Sequence, residues 1–488
     1  MTEFDRVDRR GRMDQLKLAV GIGLACLFGL LFAVVIDRPA PSPDRLVHRG
    51  STFRGTLQTD ARPNSDPCRD SRAAPHRAGG RRVARSSVPL GPRPCLFHTG
   101  DQSWEPTMGI TSDGTIFYGA DRGDAAVLTI RRSTDKGRTW TDVTPLQDPS
   151  AFGDPYLYVD RETDRVFAAE LKTDLCAHLA FSDDNGESWT ANPRVCGLAD
   201  HETVFAGPPV STPTTVYPNL VYYCAASPGI GPGQLQTGCL RSIDGGLSFA
   251  ASGEPAFPPS EGCVGPVGHG VTDNDGVIYL PKGWCGQPHL AISRDEGRTW
   301  ERVAVADNGM ASGDVNESHE AGVAVDRLGN IYYVWIALDD RPYLAISRDG
   351  GATWSQLKMI AAPGVQRASL PALDAGESGR IAMAYMGGSP RDGDVWNGYM
   401  TITANALARS PLFYSASVNP RLDPLVRGGC GTERCQGAGD FFDVVIGPEG
   451  TAWAAFVDAC VGPCKESAVG NNAADGIVGR LIGGPRLR

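Results

Sequence analysis

Five times along the chain the pattern Ser-x-Asp-x-Gly-x-Ser/Thr-aromatic recurs, and no other feature limits the fold as tightly. It reads STDKGRTW at 133–140, SDDNGESW at 182–189, SIDGGLSF at 242–249, SRDEGRTW at 293–300 and SRDGGATW at 347–354. The aspartates, Asp135, Asp184, Asp244, Asp295 and Asp349, are 49, 60, 51 and 54 residues apart. A near-constant period of this length marks one supersecondary unit used repeatedly. Within each box, Asp can accept hydrogen bonds from its own turn and Gly can supply a positive φ. The aromatic then anchors the strand that follows.

A short strand precedes every box (VLTIRRS, HLAFS, GCLRS, HLAIS, YLAIS), and a strand pair around a turn lies further upstream, as in GVAVDRLGNIYYVW. Each unit is thus a four-stranded antiparallel meander that cannot bury both faces alone. Radial repetition of such units makes a β-propeller. The strand pair recurs twice more without a box, at 369–385 and 440–456, giving seven units. The last unit lacks a fourth strand, and Val88–Thr99 is the natural donor that closes the ring. Residues 88–488 divided by seven give about 57 per unit, against about 67 for six, within or near the usual blade range. The expected fold is all-β, a propeller with seven blades favoured and six the alternative. Glycine at 60 of 488 residues fits many short strands and tight turns.

Charge is unevenly placed. Residues 1–87 carry a net +7 and residues 88–488 a net −17. A body this acidic excludes nucleic acid as the main partner, since phosphate binding needs dense Lys and Arg. Residues 18–36 (LAVGIGLACLFGLLFAVVI) hold no charge and would span about 28 Å as a helix, close to the hydrocarbon thickness. No small-x-small cleavage site follows, so the run reads as an uncleaved transmembrane signal anchor after a cytoplasmic tail, 1–17. Residues 37–87, rich in Pro and Arg, read as a flexible stalk.

Besides Cys26 there are twelve cysteines, all beyond the apolar run. Neighbours in sequence are Cys176/Cys196, Cys224/Cys239, Cys263/Cys285, Cys430/Cys435 and Cys460/Cys464, which leaves Cys68/Cys95. Zinc-type C-x-x-C spacing is absent, and an even count suits disulfides in an oxidising compartment. The propeller, 88–488, is therefore expected outside the cell on a single-pass membrane anchor. The connectivity stays open.

The five boxes resemble the Asp-box, or BNR, repeats of the sialidase superfamily over roughly 88–460. A narrower likeness is to bacterial sialidase-family exoproteins, carried by DHETVFAGPP (200–209), YPNLVYYC (217–224), GHGVTDNDGVIYLPKGWC (268–285) and DFFDV (440–444). The resemblance implies a glycoside hydrolase acting on glycans, with the boxes as structural turns far from the active site. It also implies an arginine in a Phe-Arg-Ile-Pro-like motif opening the first blade. Here that stretch is Trp104-Glu105-Pro106-Thr107, with Glu in place of the guanidinium. Arg367 stands at a suitable strand start for another family arginine, and Tyr385 is a candidate for the family's nucleophilic tyrosine.

Propeller ligands bind where inner strands meet the axis. Aligning the strand pairs on their turns puts Glu105, Asp154, Glu202 and Glu320 at about one place, with Asp440 within one residue. His201, His269 and His319 lie in the same zone. Such a ring of like charge must bind a cation, share protons or stay hydrated. Three readings remain open: carboxylates capping strand-start amides, a glycosidase acid–base pair, or a site for Ca²⁺ or another divalent cation with histidine help. Strand alternation lets only one member of each His-Glu pair face the channel, and the carboxylates are expected there. The expected partners are a glycan or an extracellular protein. A non-catalytic propeller that binds either one is the alternative to a hydrolase.

Overall fold

The computed structural model describes residues 45–47 and 67–488, apart from 123–126, 146–150, 175, 192–193, 199, 227–235, 260–265, 285, 308, 310–319, 421, 431–434 and 462–473. The expected tail, the membrane span at 18–36 and most of the stalk lie outside the described residues, as do Cys26, Cys263, Cys285, Cys464 and His319. No helix among the described residues is long and apolar enough to cross a membrane. The chain divides into two units, Met1–Ser42 and Pro43–Arg488. Only the second is described below.

Its described residues form seven antiparallel sheets, numbered here in chain order. Their inner strands are Trp104–Ile110, Ala151–Val159, Asp200–Gly207, Val271–Thr272, Gly322–Val325, Arg367–Ala375 and Asp443–Ile446. Each inner strand leads a four-strand meander. Each also contacts the inner strand of the next sheet, and the seventh contacts the first, so the sheets surround an axial channel as a propeller. The seventh sheet takes its fourth strand from the N-terminal side: Arg93–Gln102 runs antiparallel to Asp475–Ile482, with Phe97 opposite Val478. Apolar side chains fill the gaps between sheets. Between the first two, Phe117, Leu128, Leu157, Val166 and Trp189 are almost fully buried.

The five boxes share one hydrogen-bond set. In the fourth sheet Ser293 Oγ donates to Asp295 Oδ1 (2.9 Å), Thr299 N–H donates to the same oxygen (2.9 Å), and Thr299 Oγ1 donates to Oδ2 (2.7 Å). Gly297 N–H donates back to Ser293 Oγ (2.8 Å). Equivalent bonds surround Asp135, Asp184, Asp244 and Asp349. Both residues after each Asp are left-handed, as at Glu296 (φ 63) and Gly297 (φ 82), which is why glycine recurs there. Burial works against the charge on Asp295, but the Thr299 and Ser293 bonds outweigh it and lower its pKa. In the sixth sheet Thr403 Oγ1 donates to Asn405 Oδ1 (3.0 Å), but the two residues that follow are not left-handed and the box turn is not formed. Asp295→Ala removes the acceptor for these donors and is expected to cost about 1–3 kcal/mol in denaturant unfolding, with function at the channel retained.

Residues 67–87 depart from the expected stalk. Ala74–Arg77 pairs with Phe413–Ser417, and Arg81–Arg82 pairs with Ala74–Arg77, extending the sixth sheet outward. His76 is fully buried there, bonded to Ser415 Oγ (2.7 Å) and stacked on Phe413. The Cys68–Cys95 disulfide ties this segment to the closing strand. These strands escaped the sequence reading because an edge strand capping a finished sheet needs no aliphatic run. The other disulfides described are Cys176–Cys196, Cys224–Cys239 and Cys430–Cys435, and Cys460 is also disulfide-bonded. All four of these bridges join residues paired across adjacent strands or in an isolated bridge, so backbone pairing brings the thiols together.

Candidate active site at the channel

Register fixes which residues meet at the mouth where inner strands begin, the upper mouth. The inner strands of the first, second, third, fifth and sixth sheets pair as Ile110↔Ile116, Val159↔Val166, Ala206↔Val221, Val325↔Ile331 and Ala375↔Ile381. Counting five residues back gives Glu105, Asp154, His201, Glu320 and Leu370. Four of these, Glu105, Asp154, His201 and Leu370, adopt a positive φ of 49–53° beside a register shift in their strand. A β-bulge thus sits at this one position in four of the sheets.

This register corrects the alignment by one residue in the third sheet. His201, not Glu202, is equivalent to Glu105, Asp154 and Glu320. Glu202 takes the place held elsewhere by Pro106, Pro155 and Pro371. The expectation that both carboxylates of the His-Glu pairs face the channel therefore fails at His201-Glu202. Glu202 is buried, and among the described residues neither of its carboxylate oxygens meets a hydrogen-bond partner. Burial, reinforced by the charge of Asp154, pushes its pKa well above the usual carboxylate range.

His201 is the hub of the upper mouth. Its Nδ1 lies 2.7 Å from Glu320 Oε1, and its Nε2 lies 3.7 Å from Asp440 Oδ2. Its backbone N–H donates to Asp154 Oδ2 (3.4 Å). Burial disfavours a charged imidazole, but the Glu320 bond and the charges of Asp440, Glu320 and Asp154 prevail and raise its pKa well above 6.5. Burial lifts Glu320 to about 7 and Asp154 to about 6, in both cases against the pull of His201. The carboxylate ring is thus balanced by a cation from the chain itself and by retained protons.

Glu105 is also buried, and Gly439 (φ 93) lies against it so closely that a Cβ there would sit 2.2 Å from Glu105 Cγ. The segment after the Cys430–Cys435 bridge thereby carries Asp440 to His201 and inserts Phe441 into the channel. The Phe441 ring stands 6.4 Å from His201 and 5.7 Å from His269. Phe441 was missed by the sequence reading. Its signal was the strand pairing Ile446↔Ala452, which puts residue 441 at the position equivalent to His201.

Beyond Phe441 the channel widens into a cavity of about 510 Å³ that opens at the other end, the lower mouth. His269 lies at its inner end, edge-on to Tyr156 (4.8 Å) and 3.9 Å from Asp443. Burial holds His269 down to about 4 and lifts Asp443 to about 7. Among the described residues, no group of three or more His, Cys, Asp or Glu side chains is arranged to hold a metal ion. Of the expected metal set, His201 and His269 lie on either side of Phe441, and His319 is outside the described residues.

Arg367 and Tyr385 are not at the axis. Arg367 covers the Trp396 ring (4.3 Å) and pairs with Asp394, whereas Tyr385 is buried, stacks on Tyr399 and accepts from Ala362 N–H. Trp335 is likewise core.

No family model matches the chain, and no curated protein does. Among solved structures, a Hadza microbial sialidase is 18% identical, covering 65% of this chain and 66% of its own, at a TM-score of 0.40. The NanB sialidase of Streptococcus pneumoniae is 14% identical over 82% of this chain and 73% of its own, at 0.42. A lectin of Aleuria aurantia is 10% identical over 61% and 91%, also at 0.42. The likeness is one of fold.

Proposed function

We propose that the chain is a glycan-directed propeller whose upper mouth hydrolyses a glycosidic bond. The observation that carries this reading is the His201–Glu320–Asp154–Asp440 cluster, which keeps two carboxyl groups of different acidity around one imidazole. Carboxyl groups raised by burial beside a specific charged partner are the usual mark of a functional site. Glu320 donates its proton to the leaving oxygen as the C–O bond breaks. The Asp154 carboxylate takes a proton from the water whose oxygen bonds to the anomeric carbon, and solvent reprotonates Glu320. His201 orients Glu320 and balances the charge. The test is product release from a panel of aryl glycosides and sialosides, run beside glycan-array binding.

A non-catalytic binder of glycan or of an extracellular protein is the second reading. It is favoured by the position of His201 between Glu320 and Asp440, and by the engagement of Arg367 and Tyr385 elsewhere. Array binding without turnover of any glycoside would select it.

We place the propeller outside the cell, tethered through 18–36. The cross-strand disulfides support this, since such bonds persist in oxidising compartments. Protease added to intact cells is expected to remove everything beyond about residue 40 and spare the N-terminal tail. A mature chain beginning near residue 40, or a propeller protected in intact cells, would contradict the anchor or its orientation.

A further inference from the structure

The lower cavity is chemically distinct from the His201 cluster. Its volume, about 510 Å³, lies in the range of small-ligand sites. Tyr156, Tyr158 and Phe205 give it aromatic walls, and His269 and Asp443 lie at its inner end. Arg161 lines it with 43% of its side chain exposed. That guanidinium bonds to Asp374 Oδ2 through Nη2. Asp374 is meanwhile satisfied by backbone donors, Ile446 N–H at 2.6 Å and Ala375 N–H at 2.8 Å. Arg161 thus lines the cavity with its guanidinium anchored at one amino group.

Three other acids lining this mouth are held by neighbouring donors. Asp160 accepts from Tyr217 and Asn219, Asp273 from Val277 N–H and Tyr279, and Asp326 from Asn330 and Tyr332. We infer that the lower cavity is a second ligand site, for a monosaccharide-sized ligand bearing a carboxylate, a uronate by class. The guanidinium fork matches a planar carboxylate, the aromatic walls suit a sugar-ring face, and Asp443 and His269 offer partners for hydroxyls.

The test is calorimetric titration of the full chain in detergent with D-galacturonate and with D-galactose. Galacturonate is expected to bind at least about tenfold more tightly than galactose, and Arg161→Met to lose about tenfold or more for galacturonate. Glu320→Gln, at the opposite mouth, is expected to leave that affinity within about twofold. In imidazole NMR of the wild type, galacturonate is expected to shift His269 and not His201. Should Arg161→Met fail to fold, Arg161→Lys and the His269 shift decide. Absence of galacturonate binding, equal affinity for galactose, or an unmoved His269 would overturn the inference. So would loss of binding on Glu320→Gln with Arg161→Met unaffected, which would put the ligand at the upper mouth.

Discussion

Replacing Glu320 with Gln is expected to lower glycoside turnover by about 10²–10⁴-fold, the range for losing a positioned proton donor. Gln keeps an oxygen that can accept from His201 Nδ1–H, so stability should change little while the transferable proton is gone. The wild-type rate should follow a bell in pH. Glu320 acts in its protonated form, which is depleted as pH rises through about 7. Asp154 acts in its ionised form, which is depleted as pH falls through about 6. The maximum therefore lies between the two, and Glu320→Gln should remove the alkaline limb from whatever rate remains. Steady-state rates from pH 4 to 9 on a turned-over substrate check this, and an unchanged alkaline limb would assign the acid to another group.

The largest effect on stability is expected far from the channel, at Glu296. This carboxylate sits inside the fourth-sheet box and is fully buried. Its Oε1 accepts from the backbone N–H groups of Val210 (3.0 Å), Ser211 (2.7 Å) and Thr212 (2.8 Å). Its Oε2 meets Arg241 (2.8 Å) and Arg298 (3.1 Å). Burial alone would raise its pKa, but the Thr212 hydroxyl and the three amides bring it down to about 2. A folded-state pKa depressed from 4.5 stabilises the fold fully above 4.5, and that stability is lost as pH falls through about 2. The depression corresponds to about 3 kcal/mol at neutral pH. Glu296→Ala leaves three amides and the Arg241 guanidinium without their acceptor, and should cost about 3–5 kcal/mol at pH 7. Glu296→Gln keeps one acceptor and should cost less. Denaturant unfolding at pH 7 and pH 3 tests both: the wild type should lose stability between them, and the Glu296→Ala variant should lose less.

How far the sequence reveals this molecule depends on the range of each interaction. The box turns are legible because Ser293, Asp295, Gly297 and Thr299 satisfy one another within seven residues. The strand closing the seventh sheet is legible because a missing fourth strand calls for a donor. The upper mouth is legible only in part. Glu105, Asp154 and Glu320 share one register position, but in the third sheet that position is a histidine followed by a glutamate. Counting on carboxylates slips the strand by one there. The signal that would have corrected it is the proline after the bulge in three sheets, Pro106, Pro155 and Pro371, whose place Glu202 takes. The lower cavity has no sequence signature, since Arg161, Asp374 and Asp443 come from three sheets and meet only when the ring is closed. The strand at 74–77 is hidden for another reason: its partner strand, not its own composition, makes it a strand.

The central claim is that His201 serves as the resident cation of the carboxylate ring, and ¹⁵N NMR titration of its imidazole tests it most directly. The account predicts an imidazolium that persists well above pH 6.5 in the wild type and titrates at lower pH in Glu320→Gln and Asp440→Asn. A His201 that titrates at or below 6.5, or whose titration is unmoved by both substitutions, would contradict it.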